Sequence, residues 1–185
     1  EEGLKLFKEL VSVADVVVDN FSQGVTQRLG IDHQSLKKVN PKIITCSISG
    51  FGDTELNRPA YDNLIQGFAG AMSMTGSDKE IPVKSGIPIA DLGAGLYAVI
   101  GILSAIQSRE KNDSGEHVDI SMLDTQVSLL TYMATMHFLS GENPEPIGNQ
   151  HMNHVPFNSY KTSDGFIQIG AVSYTHLTLP TKVRV

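Results

Sequence analysis

The sequence predicts an α/β fold: a Rossmann-like open parallel sheet with crossover helices. Two short apolar runs, residues 15–18 and 42–47, contain the β-branched side chains that are typical of buried strands. Segments with apolar residues at helical spacing precede these runs, at 3–14 and 33–39, and Pro41 lies just beyond the second segment. Helices that alternate with buried strands indicate a parallel sheet, because parallel strands need a crossover connection.

The second half of the chain continues with long helices and then a hairpin. Ser163-Asp-Gly165 lies between two short runs of strand-forming residues, which predicts a tight turn. Residues 173–185 have neither a clear period nor a cap, so we expect a non-native or irregular tail. The elements predicted after residue 60 are helices at 63–74, 92–110 and 122–139, a strand at 117–121, and hairpin strands at 157–161 and 166–171.

The composition is that of a globular protein, with 41% hydrophobic and 18% charged residues in a chain of 185. The formal net charge of -6 argues against a broadly basic surface, so we expect no nucleic-acid partner. The single cysteine, Cys46, excludes an intrachain disulfide and a cysteine-based metal site. His151 and His154 have no carboxylate at ligand spacing, so we expect no metal.

The longest apolar stretch, residues 92–106, predicts a core helix. Gly93, Gly95 and Gly101 interrupt it, and it is shorter than the roughly 20 residues that span a bilayer. The chain begins with acidic residues and shows no signal-peptide pattern. We therefore expect a cytoplasmic protein without a membrane partner.

Asp91 is the first candidate for chemistry. It lies within Gly86-Ile-Pro-Ile-Ala-Asp-Leu-Gly-Ala-Gly95, where an apolar helix is predicted to start. Exposed backbone N–H groups and the helix dipole favour an ionised carboxylate at such a place. A carboxylate nucleophile needs this setting, but a simple helix N-cap explains the same residue, and the residue types leave both interpretations open.

Asn20, Phe21 and Arg28 form a second candidate site, just after the first predicted strand. They offer an amide, an aromatic face and a cation that could bind a phosphate. A capped turn with a buried phenylalanine explains them equally well. The glycine-rich segments match neither the dinucleotide-binding fingerprint nor the P-loop, and no Gly-x-Ser-x-Gly element is present.

Taken together, these segments resemble the class III CoA-transferase family, which includes formyl-CoA and carnitine CoA-transferases and the α-methylacyl-CoA racemases. The resemblance covers about residues 1–172 and leaves out the tail from Ser173. It is carried by Ala14–Gly24, Arg28–Gly30, Asn40–Ile44, Ser47–Gly52, Arg58–Asp62 with Gln66 and Gly70, Gly86–Gly95, and Arg109–Asp124 with Gly148, Asn149, His151, Asp164 and Gly165.

The resemblance implies a CoA-transferase whose catalytic nucleophile is Asp91. Asp91 would attack the thioester carbonyl of an acyl-CoA and form an aspartyl-acyl mixed anhydride, which an acceptor carboxylate or the returning thiolate would resolve. Asn20, Phe21, Val25 and Arg28 fall on CoA-contacting positions of the family. The implied partners are an acyl-CoA and a carboxylic acid acceptor, with no cofactor besides the CoA thioester.

Four further residues are candidates at the acyl site. Asp62 matches a carboxylate position near the acyl group, and Gly93 and Gly95 are candidate oxyanion donors. The family's racemases have histidine where this chain has Tyr61, and a side chain with a pKa of about 10 is a poor acid–base group at neutral pH. This favours a transferase. An acyl-CoA racemase or isomerase, and a non-catalytic acyl-CoA-binding or dimer-forming chain, are the alternatives.

The resemblance also implies a domain arrangement and an assembly. Residues 1–139 would be part of the large CoA-binding α/β domain with its linking helices. Residues 140–172 would be a linker and the start of a smaller α+β domain, which the hairpin begins. Family members are longer, so we expect the chain to be a fragment, and two complete chains would interlock as a homodimer.

Overall fold

Three parallel strands form the centre of the fold, which confirms the predicted parallel α/β sheet. The computed structural model describes residues 1–54, 56 and 58–171; the tail predicted at 173–185 lies outside them. The strands are β1 (Val16–Asp19), β2 (Ile44–Ser49) and β3 (His117–Ser121). β2 lies in the middle, with Cys46 opposite both Val18 of β1 and Val118 of β3.

The helices supply the crossovers that the alternating pattern predicts. Helix α1 (Glu2–Val11) precedes β1, and α2 (Val25–Leu29) and α3 (His33–Lys37) connect β1 to β2. The second crossover consists of α4 (Asp62–Phe68), a 3₁₀ turn (Ala71–Met74) and α5 (Ile89–Asn112). After β3 come α6 (Met122–Ser128), α7 (Tyr132–Ser140) and the antiparallel hairpin of β4 (Phe157–Lys161) and β5 (Phe166–Gly170). The hairpin was predicted; the boundary between domains near residue 139 stays a prediction.

The single helix predicted over 122–139 is wrong, because α6 and α7 are separate. Thr131, which precedes α7, has φ +50° and ψ -123°. A β-branched residue adopts positive φ only at a cost in strain, and a regular helix cannot continue through it. The break was not predicted because no glycine or proline lies near it in the sequence.

Helix α5 is longer than predicted. Its 24 residues extend for about 36 Å. By length and composition it could cross a bilayer. This corrects the expectation, based on residues 92–106, that the apolar stretch is too short to do so. It is the one such helix in the described part of the chain. This is weak evidence for a membrane, because the core helix of a soluble protein passes the same test.

Small residues allow α5 to pack closely on its neighbours. A Cβ atom at Gly101 would lie 2.6 Å from Cγ1 of Val118 on β3, and one at Gly93 would lie 3.0 Å from Cγ2 of Thr125 on α6. The main core cluster joins α4, α5, α6 and the loop after β2 through Phe51, Ile65, Ala90, Ala94 and Met122. Helix α5 therefore has a fixed position against the sheet.

A second, smaller cluster holds the N-terminal part of the chain. Val11 of α1, Leu36 of α3 and Ile43 before β2 are buried together. The side chain of Asn40 links these elements, since Nδ2 donates to the carbonyl oxygens of Val11 and Ala14 at 3.1 and 3.0 Å. The two clusters place the core on both sides of β2.

The remaining side of α5 carries an exposed apolar surface, which we call the α5 stripe. It consists of Leu92, Leu96, Val99, Ile100 and Leu103, each more than half exposed. Their spacing places them along one side of the helix. No described residue covers this surface.

Part of one sheet face is polar, although parallel sheets are usually apolar on both faces. Oγ1 of Thr45 lies 2.9 Å from Nδ1 of His33 and 2.8 Å from Nδ1 of His117. Oγ of Ser47 donates to Oδ2 of Asp19 at 2.7 Å. These side chains satisfy one another, as half-buried polar groups must.

Candidate active site

The loops after β1 and β2 meet at the carboxyl edge of the sheet, which is where open α/β folds bind ligands. They line a cavity of about 270 Å³. Asn20 and Phe21 line one part of it, and Tyr61, just before α4, lines another. The structure thus brings together two of the predicted CoA-binding residues and one of the predicted acyl-site residues.

Asn20 and Phe21 differ in how they are used within the fold. Nδ2 of Asn20 donates to the carbonyl oxygen of Ile48 at 2.6 Å, which ties the loop after β1 to β2. The Phe21 ring is 48% exposed, so the alternative of a capped turn with a buried phenylalanine is wrong for the ring. An exposed aromatic face beside a cavity is available to a ligand.

Val25 and Arg28 lie on α2 and do not line this cavity. Val25 is half-buried and Arg28 is exposed. Gly24, with φ +79°, precedes the helix, and Nη1 of Arg28 lies over it, 3.4 Å from where a Cβ would be. The Arg28 guanidinium therefore lies at the surface beside the loop that carries Phe21.

Asp91 lies in the first turn of α5 and is exposed. Pro88 is the N-cap of this helix, so the N-cap interpretation of Asp91 is wrong. The carboxyl is near the positive end of the helix dipole, where a negative charge is favoured. Asp91 is thus a surface carboxyl at the start of a helix, without the capping role that the sequence left open.

Asp62 performs the capping that the sequence left open for Asp91. Its Oδ1 accepts a hydrogen bond from the N–H of Ala90 at 2.8 Å, across 28 residues of sequence. Its Oδ2 accepts from Nε2 of Gln66 at 2.6 Å, and Oε1 of Gln66 accepts from the N–H of Ser85 at 2.8 Å. Asp62 and Gln66 of α4 therefore hold the backbone that leads into α5.

The surroundings of Asp91 raise the pKa of its carboxyl above the ordinary value. Nearby protein atoms remove part of the water around this exposed carboxyl, which is the larger cause, and the negative charge of Asp62 adds to it. A carboxylate with a raised pKa is more basic, and a more basic oxygen is a better nucleophile once it is ionised.

The predicted oxyanion donors lie further along α5. Gly93 is buried against α6, and at the positions of Gly93 and Gly95 the N–H groups fall within the helix's own hydrogen-bond ladder. This geometry favours packing as the role of Gly93. Tyr61 is 74% exposed and its side chain makes no capping hydrogen bond.

Comparison with known proteins identifies the family. The model of CoA-transferase family III matches residues 1–182. The chain belongs to this family. It is 38% identical over 168 residues to succinate–glutarate CoA-transferase of Agrobacterium fabrum, which covers 90% of this chain and 42% of the relative. It is 34% identical over 182 residues to succinyl-CoA:mesaconate CoA-transferase of Haloarcula hispanica, covering 95% and 46%.

A solved structure supports the same assignment. The CAIB/BAIF family protein from Brucella suis is 41% identical and superposes with a TM-score of 0.85, over 90% of this chain and 44% of that one. This class III CoA-transferase chain therefore spans less than half the length of the relatives it matches.

The other reactive side chains of this CoA-transferase segment are engaged elsewhere. Burial, with the charges of Asp19 and Asp119, raises the pKa of the Cys46 thiol to about 11, so the thiol stays protonated at neutral pH. His151 and His154 contact each other, with Nδ1 atoms 3.0 Å apart. In the described ranges no group of three or more histidine, cysteine or acidic side chains could hold a metal ion.

Sequence reasoning missed the roles of Gln66 and Ser85 at this site. Gln66 is 1% exposed, and a buried glutamine must find hydrogen-bond partners. A signal was present, since Asp62 and Gln66 are four apart in a predicted helix, a spacing at which the two side chains meet. Their contacts with Ser85 and Ala90 span 19 and 28 residues of sequence and gave no local signal.

Proposed function

We propose that the full-length protein transfers CoA from an acyl-CoA to an acceptor carboxylate, with Asp91 as the nucleophile. The observation that carries the proposal is the Asp91 carboxyl, exposed at the start of α5 with Asp62 beside it. A nucleophile must reach the substrate and be basic enough to attack it, and this carboxyl meets both requirements. Family membership supports the same chemistry.

The proposed reaction proceeds through acyl groups carried on Asp91. A carboxylate oxygen of Asp91 attacks the thioester carbonyl carbon, the carbon–sulfur bond breaks, and CoA leaves as a thiolate. The thiolate then attacks the Asp91 carbonyl carbon of the mixed anhydride, which releases the donor acid as a carboxylate and leaves Asp91 as a CoA thioester. The acceptor carboxylate then attacks the Asp91–CoA thioester, which forms a mixed anhydride between the acceptor and Asp91 and frees the CoA thiolate. The thiolate attacks the acceptor's carbonyl carbon in this anhydride, which gives the acceptor's CoA thioester and regenerates Asp91.

We infer that the acids exchanged are small dicarboxylates. The support is that the relatives named succinate–glutarate and succinyl-CoA:mesaconate CoA-transferase both act, by their names, on such acids, at 38% and 34% identity. The CoA moiety would bind across the carboxyl edge of the sheet. Asn20 and Phe21 would contact it at the cavity, and Val25 and Arg28 would contact it from α2, with Arg28 at a phosphate.

The assembly and location that we propose follow the family. Two full-length chains would interlock as a homodimer in the cytoplasm, without a metal or a further cofactor. The α5 stripe supports an assembly, because a helix with five large exposed apolar residues is normally covered by another protein surface. Light scattering of the full-length protein would test this, and a monomer would contradict it.

The nucleophile is tested by trapping the acyl-enzyme. The full-length protein is mixed with succinyl-CoA, glutaryl-CoA or another acyl-CoA, quenched with hydroxylamine, and digested for mass spectrometry. We expect a hydroxamate on Asp91, and none in D91N. D113N is the matched control, because Asp113 is an exposed acidic residue at the other end of α5.

This experiment and an incubation in deuterated water separate the alternatives. If no acyl-CoA that binds the protein gives a product on Asp91, the transferase proposal is wrong and a non-catalytic binding chain remains. If solvent deuterium enters the α-carbon of the acyl group without an acceptor, the activity is that of a racemase or isomerase.

A further inference from the structure

We infer that Gln66 is a positioning residue for Asp91: its buried side-chain amide joins Asp62 to the backbone that leads into α5. This inference rests on the proposed role of Asp91 and names a residue on which that role depends. Gln66 lies in α4, its side chain hydrogen-bonds to Asp62 and Ser85 and not to Asp91, and it does not line the cavity at the carboxyl edge. It would act through its hydrogen bonds to Ser85 and Asp62, and through the effect of the Asp62 carboxylate on Asp91.

The first contact fixes the loop before α5. Oε1 of Gln66 accepts from the N–H of Ser85 at 2.8 Å. Three residues later the chain reaches Pro88, which has no N–H to donate, and the N–H of Ile89 reaches only the carbonyl oxygen of Ile87 at 2.8 Å. The Gln66 amide is therefore a tertiary attachment of this loop to α4.

The second contact fixes Asp62. Nε2 of Gln66 donates to Oδ2 of Asp62 at 2.6 Å, which leaves Oδ1 directed at the N–H of Ala90 at 2.8 Å. Ala90 immediately precedes Asp91. Gln66 thus holds the chain on both sides of the loop, at Ser85 directly and at Ala90 through Asp62.

Burial makes this arrangement rigid. Gln66 is 1% exposed, so water cannot replace its partners and each lost bond leaves a buried polar group unpaired. Its neighbour Ile65 is fully buried in the cluster that also contains Ala90. The apolar contacts set the position of the helix, and the amide sets the orientation of the Asp62 carboxylate beside Asp91.

The orientation of Asp62 matters because its charge acts on Asp91. Helix α5 packs against α4, α6, β2 and β3, and among their described residues Asp62 is the one whose charge raises the Asp91 pKa. If Gln66 only satisfied its own polar atoms, its loss would lower stability without changing how Asp91 titrates. If it positions Asp62, its loss changes both the rate of acyl transfer and the pH at which Asp91 becomes active.

The test uses the full-length protein and compares two buried glutamines. Q66M is the test variant and Q126M is the matched control, because Gln126 of α6 is also buried, at 5% exposure, and is not among the hydrogen-bond partners of Asp62, which are Gln66 and Ala90. The rate of Asp91 acylation is measured by hydroxylamine trapping across the acid-to-neutral pH range, with KM for the acyl-CoA and thermal unfolding in parallel. We expect Q66M to lower the acylation rate about 100-fold with little change in KM, and Q126M to affect stability alone.

If Q66M does not fold, a second set of variants tests the inference by exchanging the carboxylate of Asp62 and the amide of Gln66. Q66E places a carboxylate against Asp62, where two acids at hydrogen-bond distance repel or share a proton, so its rate should also fall. In the double variant D62N/Q66E all three hydrogen bonds can form again with donor and acceptor exchanged between the side chains. We expect the double variant to recover at least about 10-fold over Q66E. Its acid limb should lie at lower pH than that of the native protein, because residue 62 no longer carries the negative charge that raises the Asp91 pKa.

The outcomes separate this inference from the proposed function. If the native protein gives no hydroxamate on Asp91, the assignment of Asp91 as the nucleophile is wrong. If it does, and Q66M keeps its rate and pH profile, or D62N/Q66E recovers nothing over Q66E, then Gln66 does not position Asp91, and the transferase proposal stands without it.

Discussion

Arg109, near the end of α5, binds Asp15, the residue before β1, across 94 residues of sequence. Nη2 of Arg109 lies 2.9 Å from Oδ1 of Asp15, and Nη1 donates to the carbonyl oxygen of Lys42 at 3.1 Å. The Arg109 side chain is 17% exposed. One guanidinium therefore joins the C-terminal part of the helix that begins near Asp91 to the start of both β1 and β2.

Replacing Arg109 should lower stability and leave acyl transfer in place. We expect R109A to lower the free energy of unfolding by about 1–3 kcal/mol, mainly through the lost hydrogen bonds to carbonyl oxygens, since the Asp15 carboxylate is largely exposed and screened by water. Urea unfolding of the full-length protein measures this. K42A is the control: it removes the exposed Lys42–Asp113 ion pair and should change stability by about 0.5 kcal/mol or less. Equal losses in the two variants would contradict the assignment.

Removing the charge of Asp62 should change the pH dependence of Asp91. The charge raises the Asp91 pKa, so in D62N the pKa should fall toward its ordinary value. Because the ionised carboxylate is the nucleophile, the acid limb of the acylation rate should move to lower pH. The rate at neutral pH should fall, since asparagine has one acceptor oxygen in place of two and cannot accept separately from Gln66 and from the N–H of Ala90. An unshifted acid limb would show that the charge of Asp62 does not act on Asp91.

The D91N variant should fold at least as well as the native protein at neutral pH. The folded state raises the Asp91 pKa, so it favours the protonated form, and the stability contributed by Asp91 is lost as pH rises through that pKa. Asparagine removes the ionisation, so we expect a small gain of up to about 0.5 kcal/mol. Thermal unfolding at acid and neutral pH checks this, because the gain should disappear when Asp91 is protonated. A destabilised D91N would indicate that the carboxylate holds the fold together.

Two glycines of α5 should respond oppositely to alanine. At Gly101 a Cβ would lie 2.6 Å from Val118, so G101A should push α5 away from β3 and cost about 1–3 kcal/mol. At Gly95 a Cβ would meet nothing within 4 Å, so G95A should stabilise the helix by up to about 1 kcal/mol. Denaturant unfolding of both variants decides. If both were destabilised alike, close packing at Gly101 would not be the cause.

Arg28 should affect the affinity for acyl-CoA more than turnover. A guanidinium that binds a phosphate far from the thioester contributes equally to the ground state and the transition state. We expect R28A to raise KM for acyl-CoA about 10-fold with kcat nearly unchanged. Lys38, an exposed cation at the end of α3, provides the control variant K38A. Should K38A raise KM as much as R28A, general charge and not a defined phosphate contact would be responsible.

Local patterns in the sequence predicted the elements of the fold well. The β-branched runs predicted β1 and β2, and the Ser163-Asp-Gly165 turn predicted the hairpin, because each depends on neighbouring residues. The break before α7 was missed because Thr131 adopts positive φ without glycine or proline nearby. The polar sheet face was missed, although the sequence of β2 alternates Thr45, Ser47 and Ser49 with the apolar Ile44, Cys46 and Ile48.

The sequence predicted which residues belong to the candidate site but not how they are arranged in space. Asp91 was expected at a helix start and lies there, yet the carboxylate that accepts a hydrogen bond from the first turn of α5 is that of Asp62, 28 residues away from its partner Ala90. A contact over that distance depends on how α4 packs on α5, and no local periodicity reports it. The same reason hid the bond between Arg109 and Asp15.

The five exposed side chains of the α5 stripe also have a colloidal consequence. Apolar surface in water is removed when two molecules meet, and such encounters become more frequent as the solution becomes more concentrated. A preparation of the described segment alone would therefore show an apparent molar mass that rises with concentration and falls on dilution. Ionic strength would change this little, because the stripe carries no charge. The exposed apolar side of α5 would therefore limit the concentration that a sample of the isolated segment can reach.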